Sequence, residues 1–79
     1  MSEIPVVLPQ WGQSMEDATL VEWLADDGQR VARDEAIAVV ETDKVDAEVT
    51  APEAGTLRRL VEPDQRVAVG TTIATITTG

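Results

Sequence analysis

Cysteine, histidine, phenylalanine and tyrosine are all missing from this 79-residue sequence. Without cysteine and histidine, the chain can form no disulfide, thiolate zinc site, cysteine nucleophile or imidazole base. The missing thiols leave the redox compartment open. Because 43% of the residues are hydrophobic, a core is possible, but it has to be built from aliphatic side chains and the two tryptophans. Val, Ile and Thr dominate the apolar runs, which favours strands over helices.

Positive charge is also scarce, with six basic residues and a formal net charge of -9. Such a surface repels phosphate backbones and anionic lipids, so we expect neither a nucleic-acid nor a membrane partner. The acidity suits solubility and the steering of protein partners equally well. No apolar run is long enough for a membrane span, and the first residues do not resemble a signal peptide. We therefore expect one small cytoplasmic domain over residues 1–79.

The apolar segments are short and separated by turn residues, and no window has a helical period. Gly28 and Gly55 are expected to supply unusual turn dihedrals. Many short strands at near-regular spacing predict a sandwich or barrel. The predicted strands are Ile4–Leu8, Thr19–Leu24, Arg30–Ala32, Ala36–Glu41, Val45–Thr50, Thr56–Val61, Arg66–Ala68 and Thr72–Thr77.

An internal repeat divides the chain into two similar halves. Gln-Arg-Val-Ala occurs at 29–32 and again at 65–68, and flanking matches follow in the same order. The spacing slips once, which we place in the turn, where 25–28 faces the shorter 62–64. The repeat predicts two four-stranded sheets related by a pseudo-twofold axis. The turn that contains Asp43 and Lys44 ends the first half, so the axis should put it at the opposite end from the chain termini.

Lys44 is the only lysine of the chain, and all other basic residues are arginines. Arginine stays protonated and is a poor acyl acceptor, so only Lys44 can be acylated on a side-chain nitrogen. Nearby carboxylates favour its charged ammonium form, so a separate enzyme would have to activate it. This argues against a Schiff-base catalyst. By composition alone, however, the Asp-Lys pair also fits a simple solvated turn.

The sequence resembles the lipoyl domains of dihydrolipoyl acyltransferases over nearly its whole length. Residues 41–45, Glu-Thr-Asp-Lys-Val, match the lysine motif of that family residue for residue. Residues 8–16 resemble its Pro-x-x-Gly-x-x-Met-x-Glu loop. Its Gly-Asp-x-Val turn corresponds to residues 28–31, with Gln29 in place of the usual acid. Its Ala-Pro…Gly turn corresponds to residues 51–55.

The resemblance implies a flattened barrel of two four-stranded antiparallel sheets, the barrel-sandwich hybrid, with Lys44 at a hairpin tip and covalently lipoylated. It implies a relay in which the lipoyl arm carries acyl groups and reducing equivalents. The implied partners are a lipoate ligase or lipoyl transferase, a thiamine-dependent 2-oxoacid decarboxylase, an acyltransferase core and dihydrolipoyl dehydrogenase. The domain itself would have no active site and no metal, because the chemistry belongs to the lipoic acid cofactor.

Two groups of residues are expected to support that role. Glu41, Asp43 and Val45 flank the lysine and would be recognised by the attaching enzyme. In the loop from 10 to 16, which in the family approaches the lysine hairpin, Trp11, Met15 and Glu16 are candidates for partner recognition. The alternative for Trp11 and Met15 is that they cover the edge of the core. Trp23, in an alternating strand, is expected to be packed.

Competing functions follow from the same residues. Biotin carriers share the fold, but their lysine lies between methionines, where this chain has Asp43 and Val45. An unmodified β-domain that binds a partner is the second alternative. The markers of the 2-oxoacid type disagree, with the Met15 loop favouring pyruvate or acetoin complexes and Val45 favouring others. The sequence also leaves open whether the chain is a free carrier or the N-terminal domain of a longer acyltransferase.

Overall fold

Eight short strands form the regular structure of the residues that the computed structural model describes, 2–10, 15–42 and 45–78. Each begins and ends within two residues of its predicted bounds. Across those three segments, no helix is long and apolar enough to cross a membrane. The strands are β1 (Ser2–Val7), β2 (Asp17–Trp23), β3 (Arg30–Val31), β4 (Ala36–Glu41), β5 (Asp46–Thr50), β6 (Gly55–Arg59), β7 (Arg66–Ala68) and β8 (Thr72–Thr78).

The strands form two four-stranded antiparallel sheets, as predicted. Sheet A has the strand order β1-β8-β6-β3, and sheet B has the order β5-β4-β2-β7. Exchanging each strand of the first half with the strand four places later converts one order into the other. The two sheets therefore have equivalent topology, which is the pseudo-twofold relation that the repeat predicted.

The repeat extends to individual backbone conformations. Within segments 2–10, 15–42 and 45–78, four residues have positive φ: Gly28 at 86°, Asp34 at 68°, Asp64 at 68° and Gly70 at 88°. They form two pairs separated by 36 residues, Gly28 with Asp64 and Asp34 with Gly70, which is also the separation of the two Gln-Arg-Val-Ala segments. Asp tolerates this left-handed region better than most residues, so one member of each pair can differ from glycine.

The slip in the repeat lies in a strand and not in the turn, where we had placed it. The turns ending at Gln29 and Gln65 are alike, because each glutamine accepts a hydrogen bond through Oε1 from the backbone N–H three residues earlier, at 3.0 and 3.2 Å. The extra residue is Val21 in β2, where the pairing with β4 shifts by one position. Strand β6 pairs with β8 without such a shift. A β-bulge therefore accounts for the difference in length between the two halves.

The core between the sheets is aliphatic, because alternate strand residues point inward from both sheets. Its largest fully buried side chains are Leu8, Leu20, Ile37, Val40, Leu57, Ile73 and Ile76. Trp23 packs against this core as expected. Its Nε1–H donates to the carbonyl of Val61 at 3.0 Å, and the Arg59 guanidinium lies 5.7 Å from its ring centroid. The missing Phe and Tyr are thus replaced by small and branched side chains.

Gly55 is required for a different reason from the one the sequence suggested. It lies inside β6, and its φ is not positive. A Cβ at this position would collide with the backbone carbonyl oxygen of Thr77 and would lie 2.6 Å from Cγ2 of Ile76. The close approach of β8 therefore excludes a side chain here. Gly28, with its positive φ and open surroundings, fits the turn role that was predicted for both.

Candidate functional site

The hairpin between β4 and β5 is closed by hydrogen bonds between Thr42 and Val45. The Thr42 N–H donates to the Val45 carbonyl at 2.9 Å, and the Thr42 hydroxyl donates to the same carbonyl at 2.7 Å. The Val45 N–H is 3.1 Å from the Thr42 hydroxyl oxygen, which accepts from it. The connection between the strands is completed by Asp43 and Lys44, which lie outside the described residues. The sequence positions of the closing pair leave two residues for this connection, the length of the commonest β-hairpin loops.

Acidic side chains line the outer face of the same hairpin. Glu41 and Asp46 are both exposed and stand directly opposite each other in the β4–β5 pairing. Glu48, two residues further along β5 and on the same face, is also exposed. Val45, in the position after the lysine, has 59% of its surface exposed, which is the largest value among the exposed large hydrophobic residues described. The base of the hairpin therefore presents acidic groups and one exposed valine to any enzyme that approaches it.

The loop from 10 to 16 is anchored by its two ends. The side-chain amide of Gln10 donates to the Met15 carbonyl at 2.9 Å. The Val69 N–H donates to the Glu16 carbonyl at 2.9 Å. Trp11 lies outside the described residues, so its predicted role stays a prediction.

Met15 is half-buried and packs against the hydrophobic core. This arrangement corresponds to the alternative in which it covers the edge of the core. Glu16 is exposed. Of the two described side chains proposed for partner recognition, only Glu16 is therefore openly presented.

Sheet B joins the loop to the lysine hairpin. In β2, Thr19 pairs with Glu41 on one side and with Arg66 on the other. Arg66 forms an ion pair with Asp17 at 2.9 Å. Asp17 is the first residue after the loop. The end of the loop and the base of the hairpin thus lie on the same end of the same sheet. In the sequence, only the family resemblance predicts that the loop and the hairpin are neighbours.

Thr42, which no sequence motif singled out, closes the hairpin with its side chain. Its hydroxyl both donates to and accepts from the backbone of Val45, as threonine and serine do in local turns. A threonine just before an Asp-Lys pair between two strands carries this signal. The signal is weak, because the same residue also has a high strand propensity.

The chain belongs to the family whose members carry biotin or lipoic acid on this fold. The family model described as "Biotin-requiring enzyme", named for biotin and lipoyl attachment, matches residues 4–76. This match covers all eight strands apart from the outer residues of β1 and β8. The prediction made from the lysine motif is confirmed at the level of the family.

Within that family, the chain is similar to lipoyl domains. It is 50% identical over 58 residues to a dihydrolipoyllysine-residue acetyltransferase component of an acetoin cleaving system from Cupriavidus necator, covering 73% of this chain and 16% of that protein. It is 45% identical over 71 residues to a probable dihydrolipoyllysine-residue succinyltransferase component of a mitochondrial 2-oxoglutarate dehydrogenase complex from Schizosaccharomyces pombe, covering 89% and 16%. The chain thus spans about one sixth of these relatives.

A solved structure has the same fold. The lipoyl domain of the 2-oxoglutarate dehydrogenase complex from Azotobacter vinelandii matches with a TM-score of 0.77 and 32% identity, covering 96% of this chain and 98% of that one. The predicted fold class is confirmed. The expected cofactor, lipoic acid, agrees with the dihydrolipoyllysine in the names of the relatives.

Proposed function

We propose that this chain is a lipoyl carrier whose Lys44 is covalently lipoylated. The observation that carries the proposal is the closed pair Thr42 and Val45, which leaves a two-residue connection containing the only lysine of the chain. This connection belongs to a fold shared with a lipoyl domain. A solvated turn without a function gives no reason for the only lysine of the chain to lie in this connection.

The residues present fit the lipoyl group. Attachment forms an amide between Nζ of Lys44 and the lipoyl carboxyl carbon, while the activating group leaves and the ammonium loses two protons, one to become the free amine and one as the amide forms. The acidic neighbours Glu41 and Asp46 favour the charged amine, so the attaching enzyme has to supply the base and the activated donor. Once attached, the group supplies a dithiolane that accepts and passes on an acyl group and two electrons.

In this role the domain has no active site of its own and serves several enzymes in turn. These are a lipoate ligase or lipoyl transferase, then a thiamine-dependent 2-oxoacid decarboxylase, an acyltransferase core and dihydrolipoyl dehydrogenase. What the chain contributes is a small rigid scaffold. Tethering to the larger assembly would raise the concentration of the carried group at each active site.

We propose that the chain serves a complex of the acetoin or pyruvate type. It is supported by the Met15-containing loop and by the similarity to the Cupriavidus necator acetoin component. The oxoglutarate relatives stand as the competing assignment, with 45% identity for the Schizosaccharomyces pombe component. A biotin carrier is the second candidate, because the matching family model is described by biotin. The absence of methionine beside Lys44 and the dihydrolipoyllysine names of the relatives favour lipoate.

Mass spectrometry tests the attachment directly. The chain is incubated with lipoate, ATP and a lipoate ligase, and in parallel with biotin, ATP and a biotin ligase. We expect one lipoyl group, mapped by peptide fragmentation to Lys44, and no biotin. Lys44→Arg keeps the charge and should stay unmodified while remaining folded. A lipoyl adduct on the Lys44→Arg protein, or a biotin adduct on the unchanged protein, would refute the assignment.

A further inference from the structure

Two edge strands of the molecule are equivalent, but one of them has a proline where the other has a residue with a backbone N–H. Strand β1 is an edge of sheet A, and β5 is an edge of sheet B. Pro5 in β1 stands opposite Thr75, and Glu48 in β5 stands opposite Val39. Thr75 and Val39 are 36 residues apart, the spacing of the repeat, so Pro5 and Glu48 occupy equivalent places. One edge therefore has proline where the other has glutamate.

The backbone groups of Glu48 point away from the sheet. Thr42 and Val45 form a hydrogen-bonded pair, and hydrogen-bonded pairs alternate along an antiparallel ladder. Ala47 therefore bonds to β4, whereas the N–H and C=O groups of Asp46 and Glu48 face the outer edge. Among the described residues, only β4 pairs with β5. This edge starts two residues after Lys44.

The proline closes one edge to further strands and leaves the other open. Pro5 has no N–H to donate, and its ring obstructs an incoming strand, which is one way that natural sheets protect their edges. Glu48, at the equivalent place, keeps its outward N–H. The edge beside the lysine hairpin is thus the one that retains its hydrogen-bonding groups.

The negative charge on the outer face of sheet B determines which kind of strand can pair with the edge of β5. Cross-strand neighbours share a face, so Glu22, Glu41, Asp46 and Glu48 lie together on the outer face of sheet B. All four are exposed. The acids repel one another and repel a second copy of this chain, which has a net charge of -9. An added strand with lysine or arginine at alternate positions would bring its cations over these carboxylates.

We propose that the outer edge of β5 binds an extended basic strand of the enzyme that attaches the lipoyl group. This proposal rests on the proposed function of Lys44. Strand addition here fixes the register between the two proteins, because a slip by one residue reverses the face of every side chain. Attachment needs such a register, since the reacting atom is Nζ of Lys44 itself. Later reactions occur at the far end of a long arm and depend less on the register at its root.

Hydrogen exchange measures the pairing without relying on activity. The Lys44→Arg domain, which binds but cannot react, is mixed with lipoate ligase, and amide exchange is followed residue by residue. The outward amides of Asp46 and Glu48 should exchange quickly in the free domain and at least about tenfold more slowly in the complex. The amide of Ala47, already bonded to β4, should change little. Unchanged exchange at Asp46 and Glu48 in a saturated complex would overturn the proposal.

A proline variant tests the donor separately from the charge. Glu48→Gln removes the charge and keeps the N–H, whereas Glu48→Pro removes both. The natural Pro5 shows that the equivalent backbone position accepts proline. We expect Glu48→Pro to lower the kcat/KM of lipoylation about tenfold or more below Glu48→Gln, through the lost hydrogen bond and the obstructing ring. Pro5→Glu, which opens the other edge, is the matched control and should be lipoylated at the normal rate.

The remaining outcomes are decisive in different ways. Equal rates for folded Glu48→Pro and Glu48→Gln would refute edge pairing, and exchange data still test it if Glu48→Pro does not fold. A loss confined to acylation by the decarboxylase would assign the edge to that enzyme and refute our assignment. Protection that grows with domain concentration, without ligase, would assign it to a second copy. If the unchanged domain is not lipoylated at Lys44 at all, the proposed function itself fails.

Discussion

Residues that are equivalent in the two halves of the repeat have similar surroundings in the two sheets. Trp23 and Arg59 are 36 residues apart, and the guanidinium lies over the indole ring at 5.7 Å from its centroid. Leu24 and Leu60 are related in the same way, and both are largely exposed, at 44% and 52%. Each N–H donates to an equivalent carbonyl, that of Ile37 or Ile73. A residue whose counterpart differs in chemical character therefore marks a place where one sheet has been altered.

Thr75 is the first such residue. It is 8% exposed, and its hydroxyl is the one buried side-chain oxygen without a hydrogen-bond partner in the described part of the chain. Its equivalent in sheet B is Val39. Because a buried hydroxyl without a partner costs stability, we expect Thr75→Val to raise the free energy of unfolding by about 1 kcal/mol.

Urea unfolding followed by Trp fluorescence measures this change. Thr56→Val, the same substitution on the exposed part of the neighbouring strand, is the control and should stay within about 0.5 kcal/mol of the unchanged protein. A Thr75→Val protein less stable than its parent would mean that the hydroxyl has a partner, such as an ordered water, that matters to the fold.

Gly55 and Gly28 give a second test at this scale, because glycine is needed at each for a different reason. A methyl group at Gly55 would collide with the backbone of β8, and two paired strands cannot separate cheaply. We expect Gly55→Ala to cost about 3 kcal/mol or more. Gly28→Ala meets open space and only the positive φ of 86°, so it should cost about 1 kcal/mol. Equal costs, measured by thermal unfolding, would show that β8 adjusts.

At the scale of elements, the hairpin depends on the hydroxyl of Thr42. Thr42→Val keeps the shape and strand propensity but removes the two side-chain hydrogen bonds to Val45. We expect the lipoylation rate to fall several-fold, because a loosened hairpin holds the lysine less firmly for the ligase. Global stability should fall by only about 1–2 kcal/mol.

Thr42→Ser keeps the hydroxyl and should retain most of the lipoylation rate. If only the size of the side chain mattered, Thr42→Ser would be slower than Thr42→Val. Ligase kinetics on the three proteins, each checked for folding, measure the effect. A Thr42→Val protein that is lipoylated at the parent rate would remove the hydroxyl from the presentation of the lysine.

The elements were predictable from sequence, since alternating apolar residues and turn residues report directly on strands. All eight were placed within two residues. The slip in the repeat was misplaced because a bulge at Val21 adds a residue without any turn signal in the sequence. Gly55 was misinterpreted because its requirement comes from β8, a long-range neighbour that local patterns cannot report.

The candidate site was predictable in part. Lys44 was predicted from its uniqueness and its motif, and its modification stays a prediction. The roles of Glu41 and Val45 as attachment signals stay predictions. The hydrogen bonds of Thr42, the packing of Met15 and the contrast between Pro5 and Glu48 depend on pairing register, which the sequence alone did not specify.

At the scale of the whole molecule, charge is divided between the two sheets. Register places Arg30, Arg58 and Glu3 on the outer face of sheet A, with threonines between them. The equivalent face of sheet B carries four acids beside the lysine hairpin, and its one described cation, Arg66, is paired with Asp17. The net charge of -9 is therefore not spread evenly, and the acidic side is the one that partners of Lys44 would meet. Partners with basic docking surfaces would be attracted to it in the correct orientation.

The most direct test of the carrier function is the acylation of the lipoylated domain. The lipoylated chain is incubated with thiamine diphosphate and with the thiamine-dependent enzyme and substrate of an acetoin, a pyruvate and an oxoglutarate system in turn. Intact mass should show one added acyl group on the lipoylated chain, fastest with the acetoin or pyruvate enzyme and far faster than on free lipoamide. Lys44→Arg should gain nothing. A lipoylated domain that no thiamine-dependent enzyme of these three systems acylates faster than free lipoamide would contradict the carrier function.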